Sequence, residues 1–324
     1  MARRILLWLL LCIALGGAPT SATAQHAAIP EIGFLAPGTR ATMARFAAAF
    51  RRGLAGQGYI DGKTIRVDWR WMDEPGGDSG DARAATFARP PVRLVVALGL
   101  RAVRAVQRAD PAMPIVMVAV GDPVASKLVP SLSHPGGVIT GLTDYRADFP
   151  AQRLALLSQL SPPVTRIAFL RNPAVASSQQ TEAAAPALGL ALLPLDLREP
   201  ADLEPALARL AGERVEALLV APNPLSFANR ARISAAAGER HLPVMFGYAD
   251  FMDVDGLMSF GSDLEQLYVD AARYVRDILH GAKPGDLPIL GPSRVELVVN
   301  LRNARALGIE LPPALLVKAD RLIR

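Results

Sequence analysis

Cysteine is almost absent from this chain: Cys12 is the only one in 324 residues. A single thiol closes no disulfide and builds no cysteine metal site. Histidine is nearly as scarce, and His26, His134, His241 and His280 lie far apart with no HExxH or H-x-H spacing. Both a zinc centre and a histidine-assisted nucleophile are disfavoured by that pattern. Lysine occurs only at 63, 127, 283 and 318, so the positive charge is almost all arginine, which we attribute to coding bias. The formal net charge of +5 is scattered along the chain rather than gathered into runs, which argues against a nucleic-acid partner. No G-x-G-x-x-G follows a strand and no G-x-x-x-x-G-K-[ST] occurs, so no nucleotide or other cofactor is expected. Beyond residue 15, no apolar run approaches the roughly 20 residues of a membrane span.

What the chain does have begins at its start. Arg3 and Arg4 precede an apolar run from Ile5 to Leu15, then Gly16-Gly17 and the small-residue pair Ala22 and Ala24. A charged start, an apolar core and an A-x-A site describe a secretory signal peptide over residues 1–24, cut after Ala24. Cleavage removes Cys12, and losing Arg3 and Arg4 takes the charge from +5 to +3. The expected product is a periplasmic, unanchored, monomeric chain without a thiol.

About 300 mature residues exceed what one hydrophobic core usually accommodates. Short apolar runs alternate with segments of helical period, the signature of parallel βαβ units. Strands are predicted over 31–36, 64–71, 93–98, 115–120 and 138–142, with helices over 42–57, 82–88 and 101–108. The pattern restarts with helix 149–160, strand 166–170, helix 177–188, strand 191–197, helix 202–211, strand 217–220, helix 226–237 and strand 243–246. Strand 257–260, helix 263–280 and strand 295–300 complete it. The fold class is α/β, with two doubly wound parallel-sheet lobes. The first lobe is expected over 29–143 plus 262–287 and the second over 144–261 plus 288–324, with no flexible linker between them. Three short crossings imply a hinge and a cleft that closes on a small ligand.

Two motifs invite other chemistry. Gly77-Asp78-Ser79-Gly80 matches the serine-nucleophile signature of trypsin-like proteases, but no histidine stands in a matching context. The acidic cluster Asp73, Glu74, Asp78 and Asp81 lacks the ligand alternation and closing glutamate of a calcium loop and reads as a solvated loop. No catalytic or metal-binding residue is assigned. Doubly wound sheets place ligands at the carboxyl ends of their strands. The turns there carry Pro37, Gly38 and Thr39, then Gly99 and Leu100, then Gly121 and Asp122, then Asn172, Asn223, and the pair Phe246 and Tyr248, with Thr140 in the fifth strand. Thr39, Asp122 and Asn172 also suit helix or turn capping.

Further stretches carry a family likeness. They include Ile32-Gly33-Phe34-Leu35 with Pro37-Gly38, Val120-Gly121-Asp122-Pro123-Val124, Pro135-Gly136-Gly137 with Thr140-Gly141, and Asn172-Pro173. Gly281-Ala282-Lys283-Pro284 and the ending Glu296 to Leu301 through Ala306-Leu307-Gly308 to Pro312-Pro313 complete it. The chain resembles the ABC-transporter substrate-binding protein family, in the branch of type I periplasmic binding proteins whose ligands include aromatic amino acids. The resemblance implies a Venus-flytrap receptor that traps one small amino-acid-like molecule or organic acid. It would deliver that molecule to an inner-membrane ABC permease driven by a separate ATPase; the alternative is a ligand sensor for a membrane kinase. It also implies that hydroxyls and N–H groups near Thr39 and Leu100 take a ligand carboxylate, that Asp122 pairs with an ammonium, and that Phe246 and Tyr248 wall the side chain. Family members often carry a hydroxyl residue after the third strand's glycine, where this chain has Leu100.

Overall fold

The computed structural model describes residues 29–75 and 79–324. The expected signal peptide, Gly77 and Asp78 lie outside the described residues. Glu31–Ala36 (β1) begins a five-stranded sheet, followed by helix Ala44–Gly56 (α1), strand Arg66–Trp71 (β2), helix Gly80–Ala85 (α2) and strand Val92–Leu98 (β3). Helix Gly99–Ala109 (α3) leads to strands Ile115–Val118 (β4) and Ile139–Leu142 (β5). The strand order is β2-β1-β3-β4-β5, parallel throughout. β3 and β4 are almost continuously buried, as strands covered on both faces must be. One face is filled by Phe34, Phe50, Trp69 and Trp71, with the Phe34 and Trp69 rings 4.6 Å apart.

The second sheet is built from helix Phe149–Leu157 (α4), strand Arg166–Arg171 (β6), helix Ala176–Ala184 (α5), strand Ala191–Asp196 (β7) and helix Leu203–Gly212 (α6). Strand Ala217–Val220 (β8), helices Pro224–Ala228 (α7) and Arg230–Gly238 (α8), and strands Val244–Phe246 (β9) and Met258–Ser262 (β10) follow. Helix Leu264–Leu279 (α9) returns to the first lobe before strand Val295–Asn300 (β11), helices Leu301–Ala306 (α10) and Pro313–Lys318 (α11), and strand Arg321–Ile323 (β12). The order is β12-β11-β10-β9-β8-β6-β7. Thus the fold is two doubly wound α/β lobes, with β11 and β12 running against the other strands of their sheet.

Three local differences from the sequence reading have physical causes. The single helix expected over 226–237 is two, because Asn223 caps α7 from Ser226 and Asn229 interrupts the run. The short elements α10, α11 and β12 carry too few residues to show a periodicity. Residues 287–290 stay with the first sheet: Thr140 Oγ1 donates to the Leu287 carbonyl at 2.8 Å and Leu290 bridges Leu142. The third crossing therefore runs from 291 to 294, later than the expected 288.

α9 is the first lobe's most intimate late addition. Leu267, Tyr268, Ala271, Ala272, Tyr274 and Val275 form its buried stripe at helical spacing. It lies so close to α1 that a Cβ on Gly53 would fall 2.3 Å from the Val269 carbonyl oxygen. A segment some 120 residues beyond β5 in sequence thereby locks onto the first sheet. This return makes the connection between lobes a three-stranded hinge instead of a single tether.

Candidate ligand cleft

The first crossing carries the residues that draw the lobes together. Asp144 Oδ1 accepts the Gly121 N–H from the turn after β4 at 2.7 Å, and Tyr248, following β9, donates its hydroxyl to Asp144 Oδ2 at 2.5 Å. Ser262, at the second crossing, donates to the Asp144 carbonyl at 2.7 Å. One residue thus accepts from both lobes and from a neighbouring hinge segment. Beside it, Tyr145 donates its hydroxyl to Gln180 of α5 at 2.5 Å. Burial is the main cause pushing the Tyr145 phenol upward, and nearby Asp122 adds to it against the Gln180 bond. The Tyr248 phenol is pushed further up, first by burial and then by the Asp144 carboxylate. Both tyrosines stay neutral hydrogen-bond donors at ordinary pH.

The backbone under Tyr248 is held on several sides. Arg153 of α4 donates through Nε to the Phe260 carbonyl at 2.8 Å and through Nη2 to the Gly247 carbonyl at 3.1 Å. A Cβ on Gly261 would sit 2.0 Å from that Gly247 oxygen, and one on Gly247 would meet Pro222 at 2.7 Å. Glycine at both positions is a steric requirement. It sets the Tyr248 side chain on a rigid seat.

The anticipated site residues do not all fall in one place. Gly121 and Tyr248 take part directly in the cluster, and Asp122 lies close to Tyr145. Gly99 and Leu100 open α3, which has no side-chain cap, and Leu100 is 39% exposed. Several serve structure. The carboxylate of Asp122 accepts the Val124 and Ala125 N–H groups and caps its own turn, Asn172 closes a turn from Ala174, and Asn223 caps α7. The expectations for Thr140 and Phe246 are corrected: Thr140 is fully buried in β5, and Phe246 is fully buried in the second-lobe core against Phe251.

The turn after β1 carries its own hydrogen bonds. Gly38 N–H donates to Asp73 at 2.6 Å, Arg40 N–H to Glu74 at 2.7 Å, and Thr39 N–H to Thr42 Oγ1 at 2.9 Å. The N–H groups of residues 38–40, which follow half-buried Pro37, are therefore already engaged, two of them by Asp73 and Glu74 of the acidic cluster read as a solvated loop. Burial raises Asp73, but hydrogen bonds from Arg101 and Gly38 outweigh it and hold the carboxyl below its usual range. Ser79 accepts the Ala82 N–H at 3.1 Å as the cap of α2.

An interlobe cavity of about 690 Å³ is lined by Thr42 and Arg45 of the first lobe, Arg230, Asp250 and Asp253 of the second, and Asp263 and Arg294 at the crossings. Its wall is crowded with charge, but the charges are already matched: Arg45 with Asp250, Arg230 with Asp253, Arg294 with Asp263 and Arg321 with Glu296. A wall of internally neutralised pairs offers a solute little that it does not already hold.

Sequence reasoning missed Asp144, Tyr145, Gln180 and Arg153. The first two were findable, because they directly follow β5 and obey the same strand-end rule as the other turns. Gln180 and Arg153 sit on helices, where nothing in the sequence marks which face meets the cleft.

Two doubly wound lobes, a three-stranded hinge and polar groups converging between them define the type I periplasmic binding protein fold. The chain belongs to the ABC transporter substrate binding protein family, whose model matches residues 35–323. This is a family of solute-binding proteins. The chain is 26% identical over 267 residues to the tyrosine-binding protein of Clostridioides difficile strain R20291, spanning 81% of this chain and 76% of that one. A conserved domain protein from Vibrio cholerae O1 biovar eltor superposes with a TM-score of 0.79 at 26% identity, covering 91% of this chain and 99% of its own. The Streptococcus pneumonia ABC domain solved in complex with L-Trp also gives 0.79, at 24% identity over 90% and 99% of the two chains. Among the described residues, no helix is long and apolar enough to cross a membrane.

Proposed function

We propose that the protein captures an amino-acid-like molecule or small organic acid in the interlobe cleft and delivers it to an ABC permease from the periplasm. The observation that carries this reading is Asp144, whose carboxylate accepts hydrogen bonds from both lobes at once. Among the described residues no basic side chain forms an ion pair with Asp144, so its carboxylate is the natural acceptor for a ligand ammonium, the role first expected of Asp122. The uncapped start of α3 at Gly99 and Leu100 suits a ligand carboxylate, since its free N–H groups and helix dipole favour an anion. Tyr145 and Tyr248 supply aromatic walls. The exposed apolar side chains Leu100, Val124 and Val175, on strand-end turns of both lobes, supply an apolar rim. The tyrosine-binding relative supports the amino-acid class.

The test is a thermal-shift screen of the mature protein over amino acids, small carboxylates and aromatic acids, followed by calorimetry on the hits. A ligand specific for the folded state raises the melting temperature by mass action. One-to-one binding that is lost in Asp144→Ala is the expected result. No binding across the panel, or binding indifferent to Asp144, overturns the reading.

A further inference from the structure

Arg153 is the only charged side chain among the buried polar residues described, with 6% of its surface exposed. Among the described residues, no carboxylate lies within ion-pairing distance of it. The guanidinium meets the carbonyls of Phe260 and Gly247 and the face of an aromatic ring, 5.5 Å from the Phe149 centroid. Two carbonyls satisfy donors without neutralising charge. A buried, uncompensated guanidinium is costly enough that a protein without use for it does better with an apolar side chain. The negative group that acts on Arg153 is Asp144, reached through Tyr248: Arg153 fixes the carbonyl of residue 247, and residue 248 donates to the Asp144 carboxylate. Burial lowers the Arg153 guanidinium, while Tyr248 and Asp144 act in the opposite direction.

We propose that Arg153 is a positioning and specificity residue that offsets the charge of Asp144, so that the site selects a zwitterion over a ligand carrying a net charge. The inference rests on the amino-acid reading of the cleft. A zwitterion presents its ammonium to Asp144 and adds no net charge to the closed site. A bare amine leaves Arg153 and the ligand cation sharing one carboxylate. A bare acid leaves Asp144 facing no cation of the ligand. Discrimination then comes from charge left unmatched in a closed cleft.

The test compares dissociation constants of L-tyrosine, tyramine and 3-(4-hydroxyphenyl)propionate, probes that share one ring and differ in charge. L-Leucine and isoamylamine serve as a second pair. Wild type is expected to prefer the zwitterion over the amine by about tenfold or more, the scale of one charged hydrogen bond. Arg153→Met shrinks that ratio, whereas Arg153→Lys, which keeps the charge but not the fork, preserves it. A purely structural arginine weakens zwitterion and amine together and leaves the ratio unchanged, which overturns the inference. Should Arg153→Met fail to fold, Asp144→Asn supplies the second arm: the unopposed Arg153 charge then shifts preference toward the propionate, and no shift overturns the inference. If wild type binds neither zwitterion, the amino-acid reading itself falls, and this inference with it. Binding of the zwitterions with unaltered ratios in the variants sinks the inference alone.

Discussion

Asp250 offers the sharpest quantitative test of the interlobe packing. It lies in the turn after β9, its side chain is 12% exposed, and Arg45 of α1 pairs with it across the lobes. Burial pushes its carboxyl up from the ordinary 3.8 to about 6, against the attraction of Arg45 and with help from Glu265, Glu296 and Asp263. Between those two pH values the folded state holds a proton that the unfolded state has released, so stability falls as pH rises. The stabilising contribution is fully present below pH 3.8 and is lost as pH passes through about 6. Moving a carboxyl across that interval corresponds to about 3 kcal/mol. Asp250→Asn has no proton to lose and escapes the decline. The difference in stability between variant and wild type is therefore expected to shift in the variant's favour by about 2 kcal/mol between pH 4 and pH 7.5, and to change little above that. Urea unfolding followed by far-ultraviolet circular dichroism reads it, since Trp69 and Trp71 both sit in the first lobe and report poorly on Asp250. Parallel pH profiles for the two proteins refute the reasoning. Arg45→Met supplies the converse: without its attraction the decline moves to higher pH.

Other consequences are open to direct measurement. Asp144→Asn is expected to weaken ligand binding about 10- to 100-fold, the value of a charged hydrogen bond, in calorimetric titrations. Asp122→Ala is expected to lose about 1 kcal/mol of stability as a turn cap while leaving affinity within a factor of two or so, so a large affinity loss sends the ammonium role back to Asp122. In Gly261→Ala the new methyl collides with the Gly247 carbonyl, and both melting temperature and affinity are expected to drop; unchanged binding removes the rigid-seat argument for Tyr248. Ser79→Ala is expected to lower stability by about 1 kcal/mol through its lost helix cap without altering binding.

The sequence alone determined the architecture because that information is local. Alternation of apolar strand runs with helical stripes at 3.6 spacing marked β1 to β11 and the long helices within a residue or two at most ends. Buried parallel strands such as Val92–Leu98 announce themselves by continuous apolar composition. The strand-end rule likewise brought forward Gly121 and Tyr248, the two partners of the Asp144 carboxylate. Failures occurred where the deciding partner is distant in sequence, or where alternation does not say which face of a strand meets the core. Thr140 looked like a cleft hydroxyl until residue 287 returned to cover it, and Phe246 looked like a ligand wall until Phe251 packed on it. Gly38 and Arg40 offered N–H groups that Asp73 and Glu74, 35 and 34 residues away, had already taken.

Tertiary structure alone could bring Asp144 partners from both lobes. Its partners Gly121 and Tyr248 lie 23 and 104 residues from it, and Arg153 reaches carbonyls 94 and 107 residues away. Polar groups commit to partners by geometry, and geometry between lobes is fixed only after α9 and residues 287–290 fold back onto the first sheet. Periodicity in the chain selects which face of each element is buried. Which carboxylate is left to meet a ligand is decided by what the returning chain has already bonded.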